Sequence, residues 1–322
     1  MSTIKDVAKA ANVSVMTVSR ALNYPEKVAA SSLARIEQAI VQLGYRKNHA
    51  ATALVNKSTG IVKIVLADTL RGNDAYFTNL FAGIAEVMAK KRLAMLIVED
   101  LAEDVKSDGM IVMGLKEGQR VALEDYPSPV VLFGKGNDKV DWIDVDNIGG
   151  TYTSTKHLLD LGHREIAFFK FDIDEPFIHE REVGYRKAMA EYDIEVKNEW
   201  IVTGVENSSV SSKLHALRVL RTTSVTGVVC TSDMVGLGVT QAAKELGINI
   251  PNELSVVGFD SVGHDLMSDP RLTTIKQPVF EVGKRLGEML IERLQKGFEI
   301  QEPRHEIMST ELVLRDSTAM KK

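Results

Sequence analysis

Cysteine occurs once in the 322 residues, at Cys230, which excludes an intrachain disulfide and a metal site made of several cysteines, and fits a reducing cytoplasm. Long apolar runs are missing too. None reaches the length that spans a bilayer, and the opening MSTIKDVAKAA carries charge where a secretion signal needs its apolar segment, so a cytoplasmic location without a membrane partner is expected. Catalytic signatures are equally scarce: no strand-like run is followed by G-x-G-x-x-G or G-x-x-x-x-G-K-[ST], and neither G-x-S-x-G nor H-E-x-x-H occurs. The seven histidines lack metal-ligand spacing, and His163 in LGHREIAF reads as a turn residue before a strand. Cys230, inside TGVVCTSD, reads as buried packing rather than a reactive thiol. No enzyme, cofactor or metal is expected.

What is present is an ordinary globular composition, 44% apolar and 26% charged, over enough chain for two or three compact units. The net charge of −5 is unevenly spread. Residues 1–60 hold eight Lys and Arg against three Asp and Glu, a charge of +5, which leaves −10 on the rest. A small basic head on an acidic body makes the head the part that would meet a polyanion.

Within that head, IKDVAKAANVSVMTVSRALN (4–23) reads as two short helices. Thr3 and Asp6 suit a capping box, Ile4, Val7, Ala8 and Ala11 share one stripe, Asn12 suits a left-handed stop, and Ser14 suits an N-cap. At about 100° per residue, Thr17, Val18, Ala21 and Leu22 gather on one arc of the second helix, and Val15, Met16, Ser19 and Arg20 on the other. Only the first arc can face a core, because it holds Val18 and Leu22 together. Val15 and Met16 are left beside a cation, an arrangement suited to the DNA major groove, where arginine bonds guanine and apolar atoms touch a thymine methyl. Packing of Val15 and Met16 against a third helix is the alternative. That helix is expected over about 32–43, with Leu33, Ile36, Ile40 and Leu43 inward and Gly44 as its stop.

TIKDVAKAANVSVMTVSRALN, followed by LGYRKNHAATAL and a C-terminal TELVLRDST, resembles the lactose-repressor and galactose-repressor (LacI/GalR) family of bacterial transcription regulators, and motifs in the family's order run through nearly the whole chain. The resemblance implies base-reading or groove-lining roles for Val15, Met16, Ser19 and Arg20, with Thr3, Ser14, Thr17, Asn23 and Ser31 completing the DNA-binding set of the head. Ser32-Leu33 departs from the family's usual Thr-Arg, which removes one expected backbone contact. By composition, residues 47–60 suit either a plain linker or about two turns of helix. The resemblance makes them a hinge that folds on DNA, pairs with its copy in the partner subunit and pushes a leucine into the minor groove. Leu54 matches that wedge, Ala51 lies one turn before it, and Asn48 joins them as a DNA contact.

From Ile61 onward, strand-like runs (IVKIVLAD, LAMLIVED, DGMIVMG, PVVLFG, DWIDVDN, EIAFFKF, WIVTG, TGVVCTSD, LSVVGFD) alternate with helical ones. That order implies an α/β class of parallel sheets with helices on both faces, in two lobes. The resemblance makes the lobes a periplasmic-binding-protein-like core behind an all-α helix-turn-helix head. The expected domains are a head at 1–46, a hinge at 47–60 and an effector-binding and dimerisation core at 61–322. Within the core, the first lobe takes about 61–162 plus 278–305 and the second about 163–277 plus 306–318. Only EDLAEDVKS separates Val98 from Asp108, roughly a dozen residues short of a crossover helix. A thinner flank, a rearranged dimer face or an opened cleft would follow.

Ligands of open α/β sheets bind at the C-terminal ends of strands. Tyr76 and Phe77 stand there, either to stack on a ligand or to open a helix as core residues; Arg181 matches the family's effector-holding arginine, and is otherwise a surface charge. Ser232, Asp233 and Asp260 end two further strands, and carboxylates with an arginine suit vicinal hydroxyls. Ser232 departs from the Asn of several family members. A carbohydrate effector is the first expectation and a nucleobase-like co-repressor the second. The expected partners are palindromic double-stranded operator DNA, a second copy of the chain in a homodimer, the effector, and conceivably a phosphocarrier protein. The competing reading is a cytosolic sugar-binding or sugar-acting α/β protein without regulatory DNA binding.

Overall fold

The computed structural model describes residues 2–45, 58–66, 74–101, 105–115, 117–124, 126–173, 175–296 and 302–322. The chain divides into two units, 1–59 and 60–322. The head holds three helices, α1 (Ile4–Ala10), α2 (Val15–Asn23) and α3 (Ala30–Leu43). Thr3 and Asp6 form the reciprocal capping box, with the Thr3 amide donating to Asp6 Oδ2 at 2.8 Å. Asn12 turns the chain at φ 51°, and Ser14 Oγ accepts from the Thr17 amide at 3.1 Å to start α2. Gly44, at φ 57°, ends α3 in a left-handed conformation that costs glycine little. Val7, Ala8, Ala11, Val18, Ala21, Ile36 and Ala39 form the core of the head, with Leu22, Leu33 and Ile40 packed on it. Leu43 is not inward as its spacing suggests: at the last turn of α3 it is 38% exposed.

The body contains two six-stranded sheets. The first comprises β1 (Ile61–Leu66), β2 (Ala94–Val98), β3 (Gly109–Met113), β4 (Val130–Phe133), β5 (Asp141–Val145) and β11 (His305–Met308), in the order β11-β5-β4-β3-β1-β2, all parallel. Alternation along β1 sends Val62 and Ile64 into a core with Leu80, Ile84, Val282 and Leu286 from α4 (Asp74–Lys91) and α11 (Val279–Lys296), while Val65 faces the other core. The second sheet comprises β6 (Ile166–Phe171), β7 (Ile201–Val205), β8 (Gly227–Cys230), β9 (Ser255–Asp260), β10 (Thr273–Lys276) and β12 (Glu311–Val313), in the order β12-β10-β9-β8-β6-β7. Only β12 runs antiparallel, against β10. Helices α6 (Asn147–Asp160), α7 (Pro176–Glu191), α8 (Ser209–Thr222) and α9 (Asp233–Glu245) flank it. Cys230 is buried in its core.

Two lobe boundaries read from sequence need correction. The first expected lobe ran to 162, but α6 packs on α7 and on β8, β10 and β12 of the second sheet. Its buried stripe, from Gly150 through Thr151 and Ser154 to Leu158, is small enough for close approach. A Cβ on Gly150 would stand 2.9 Å from Phe259, and one on Gly184 of α7 2.3 Å from the Ile148 carbonyl. The chain therefore changes lobe just after β5. The second correction is β11, which pairs Trp142 with His305 and so keeps 306–308 in the first lobe.

No helix joins β2 to β3 among the described residues. Leu96, Val98 and Leu101 instead join one core cluster with Val65 and Val112, to which Leu123 and Tyr126, after the short α5 (Glu117–Arg120), also belong. The result is the thinner flank, with β2 as an edge strand whose Ile97 is 53% exposed.

Candidate functional site

Two constellations stand out, one in each unit. On α2, Val15 is 41% and Met16 71% exposed, and Arg20 is exposed beside them, whereas Val18 is fully buried on the opposite arc. Within the head, Val18 and Ala21 join α1 and α3 in the core, while Val15, Met16 and Arg20 stay exposed on the other arc. Ser19 is half-buried, and Asn23 is the last residue of α2. The hydroxyls of Ser14 and Thr17 lie 2.8 Å apart at the N-terminus of α2, and that of Thr3 donates to Asp6 at 2.8 Å; these groups serve the helix starts. Ser31 is exposed in the first turn of α3, which starts at Ala30, two residues earlier than its spacing suggests; the amides of a first helical turn suit a phosphate. Asn48, Ala51 and Leu54 lie outside the described residues.

The second constellation is a cavity of about 620 Å³ between the lobes of the body. Tyr76 and Phe77 from α4, Phe133 and Asp144 at the ends of β4 and β5, and Lys135 and Arg120 form the wall of the first lobe. Phe171 at the end of β6, Glu175, Phe177 and Arg181 around the start of α7, Asn207 beyond β7 and Asp260 at the end of β9 form the opposite wall.

Arg181 is the centre of the polar groups. Its guanidinium sits 3.6 Å from the Phe259 ring centroid and 5.0 Å from that of Phe177, donates from Nε to Asn147 Oδ1 at 3.0 Å and from Nη1 to the Thr231 carbonyl at 2.5 Å, and lies 4.0 Å from Asp260. Burial lowers its pKa from the ordinary arginine value. Across the cleft, the Tyr76 hydroxyl donates to Gln277 Oε1 at 3.0 Å, and Gln277 Nε2 donates to Asp260 Oδ1 at 2.7 Å. A relay of hydrogen bonds thus joins the two walls through Gln277, which lies in the segment where the chain passes from β10 to α11. Burial pushes Asp260 up to about 7, against the pull of Arg181 and Gln277, and Asp144 up to about 6. Burial also raises Tyr76 well above the ordinary phenol value.

Two ion pairs bridge the walls directly, Arg120 to Glu175 at 2.8 Å with both side chains buried, and Lys135 to Glu180 at 3.0 Å nearer solvent. Arg120 is further fixed by donating to the carbonyls of Leu115, at 2.9 Å, and Lys135.

Tyr76, Phe77, Arg181 and Asp260 therefore stand on the cavity wall, but Ser232 and Asp233 do not. Ser232 caps α9 by accepting from the Val235 amide at 3.2 Å, and donates to Asn207 at 2.9 Å; it reaches the cavity only through that asparagine. Asp233 is fully buried behind the wall. It accepts from Thr274 Oγ1 at 2.5 Å and from the Ser261 amide at 2.7 Å, and burial raises its pKa well above the ordinary value. Its work is to hold the turn after β9, where Asp260 at φ 117° and Ser261 at φ 55° are strained for residues with side chains. The first position past a strand end points to the ligand only when the backbone turns that way, which residue order does not disclose.

The sequence did not disclose Asn147, Arg120, Glu175, Phe177 and Gln277; Arg120, Glu175 and Gln277 take their positions from contacts between lobes, and Asn147 and Phe177 from contacts with Arg181. Phe133 was within reach, since it ends the run PVVLFG and the rule about strand ends covers it. Among the described residues, no group of three or more His, Cys, Asp or Glu is placed to hold a metal ion, and no helix is long and apolar enough to cross a membrane. His163 bonds Thr226 at 3.0 Å and the Ala319 carbonyl at 3.1 Å as a structural group.

Comparison with known proteins finds matches for both units. Residues 3–48 match the model of bacterial regulatory proteins of the lacI family, and 155–318 match a periplasmic binding protein-like domain. The uncharacterized HTH-type transcriptional regulator YvdE of Bacillus subtilis (strain 168) is 36% identical over 99% of this chain and 100% of its own length. Catabolite control protein A of Priestia megaterium is 28% identical over 91% of this chain and 93% of its own. Among solved structures, the lac repressor dimer bound to operator and the anti-inducer ONPF has the same fold, with a TM-score of 0.82 at 22% identity and 99% of each chain covered.

Proposed function

The chain belongs to the LacI family of bacterial DNA-binding transcriptional regulators, and from that premise we propose that α2 reads the operator, that a carbohydrate bound between the lobes alters its grip, and that two copies act together. The observation that carries the DNA reading is the outer arc of α2, where Val15 and Met16 stand exposed beside Arg20. Two-fold pairing makes the operator palindromic, each head taking one half-site. The location that fits this role is the cytoplasm. A phosphocarrier protein is not needed for this reading, so effector alone is expected to change operator binding by the purified chain.

Random-oligonucleotide selection with the full chain tests the proposal: enrichment of a palindrome supports it, and recovery of unselected sequence at moderate salt sinks it. Arg20→Ala is expected to cost about 1–3 kcal/mol in operator affinity and to relax preference at one base pair, measured by fluorescence anisotropy over operator variants. Uniform weakening over all variants would reassign Arg20 to a phosphate. Calorimetric titration of effector with and without operator completes the test, because linkage requires each ligand to change the affinity of the other by one common factor.

Cleft chemistry predicts the pH response. Hydroxyl donors favour ionised Asp144 and Asp260, whose carboxyls burial has raised to about 6 and about 7. Carbohydrate affinity is therefore expected to rise from about pH 5.5 to about pH 8, with proton release on binding that shows as buffer-dependent heat. The ligand-free body has the matching sign: with folded values above the ordinary 3.8, these two groups reduce its stability as pH climbs from that value to about 7. Proton uptake on binding would contradict the assignment of these carboxylates as hydroxyl acceptors.

A further inference from the structure

We infer that the cleft selects an uncharged ligand of more than one sugar ring, a disaccharide or short oligosaccharide, and rejects sugar phosphates; this rests on the carbohydrate reading above. The first argument is size. A cavity of about 620 Å³ matches on the order of twenty liquid waters of about 30 Å³ each, whereas one hexose ring displaces on the order of six. A lone ring would leave most of the space to water and reach one wall at a time.

The second argument is where the apolar surface lies. Tyr76 stands 5.6 Å from Phe77 and 6.3 Å from Phe133, which makes one aromatic platform on the first lobe. On the second lobe Phe171 and Phe177 line the opposite wall, Phe177 lying beside the Arg181 guanidinium. Sugar rings present flat C–H faces that stack on aromatic surfaces, and aromatic groups on opposite walls with polar groups between them suit two linked rings.

The third argument is charge. Among the described residues, each cation on the wall already faces a carboxylate: Arg120 with Glu175 at 2.8 Å, Lys135 with Glu180 at 3.0 Å, and Arg181 with Asp260 at 4.0 Å. Asp144, Asp172 and Glu206 add further acid to the lining. A phosphate entering here would lose its hydration without gaining an unshared cation, and would meet carboxylates instead. Glu175 is the main guard, because it makes the shortest of the three contacts, with both side chains buried, on the wall facing Arg120.

The experiment is calorimetry at neutral pH on the full chain, with cellobiose, maltose, maltotriose, sucrose, glucose and glucose 6-phosphate, each followed by operator anisotropy. At least one saccharide of two or three rings is expected to bind about ten-fold or more tightly than glucose and to change operator affinity, with glucose 6-phosphate weaker than glucose. Glu175→Gln, by releasing the charge of Arg120, is expected to raise glucose 6-phosphate affinity about ten-fold. Glucose or glucose 6-phosphate binding the parent chain more tightly than every multi-ring sugar, with operator affinity altered, overturns this inference and leaves the carbohydrate-controlled repressor standing. Binding by none of the six overturns the inference together with the carbohydrate reading on which it rests. An unchanged phosphate affinity in Glu175→Gln removes the guarding role, and with it the charge argument.

Discussion

Arg181→Ala is expected to give a repressor that recognises its operator but no longer answers to carbohydrate. The guanidinium lies between Phe259 and Phe177, donates to Asn147 and to the Thr231 carbonyl, and provides the opposite charge nearest Asp260. Removing it strands a buried carboxylate, a change that typically costs about 3–5 kcal/mol. For a body of this size that lowers the melting temperature by on the order of 10 °C. Some of the cost is avoided when Asp260 takes up a proton, so the loss is expected to be smaller at pH 5 than at about pH 8, given a carboxyl already raised to about 7. The saccharide that binds the parent chain should lose affinity about a hundred-fold, because the charged donor and the ordered Asn147 are lost together. Arg181→Lys separates charge from shape: it retains a cation for Asp260 but not the flat surface on Phe259, so stability should recover more than binding. Parent-like saccharide affinity in Arg181→Ala would take this residue out of the site.

Gly283→Val is expected to be the most destabilising single substitution in the first lobe. A Cβ on Gly283 would stand 2.0 Å from the Leu80 carbonyl oxygen, and one on Gly83 2.1 Å from the Phe280 carbonyl oxygen. The helices α4 and α11 therefore cross backbone to backbone, with glycine on each side. Overpacking against mobile side chains ordinarily costs about 1–3 kcal/mol, but here the obstacle is main chain, and relief requires moving a whole helix off the core of Val62, Ile64, Leu80, Val282 and Leu286. A cost of about 4 kcal/mol or more follows, seen as a fall in melting temperature of on the order of 10 °C or as insoluble expression. Gly287→Ala is the control one turn along, since its Cβ would meet the Val87 side chain at 3.0 Å and the Met88 methyl at 3.3 Å. That crowding is also tight but partly yielding, and about 1 kcal/mol is expected. Equal melting temperatures for Gly283→Val and the parent would show that the helices do not cross at this distance.

The contrast between these predictions and what the residues disclose by themselves has a physical pattern. Local periodicity was enough for β1 to β9 and for the two arcs of α2, since the buried face of a strand or helix repeats every 2 or about 3.6 residues whatever lies opposite, but not for the short β10, β11 and β12. Capping was readable for the same reason: Thr3 with Asp6, and Ser14 with Thr17, close their bonds within three residues. The exposed pair Val15 and Met16 could be picked out because a core face and a bare face on one short helix exclude each other. Resemblance to a family carried the identification of Arg181, whose spacing alone suits a surface charge equally well.

Tertiary structure decided everything that depends on a partner far along the chain. It placed α6 on the second sheet, where Gly150 and Gly184 allow the close approach, although the sequence offered a plausible boundary fifteen residues later. It withdrew Asp233 from the ligand and gave it to the turn at Ser261, while bringing Gln277 to Tyr76 across 201 residues of chain and Arg120 to Glu175 across 55. The sequence by itself determined the longer helices, the strands β1 to β9 and which head surface is left bare, because those outcomes depend on neighbours within a few residues. Which side chains meet across the cleft depended on how two sheets pack and where the chain crosses between them, and that is a property of contacts at long separation, which no local pattern encodes.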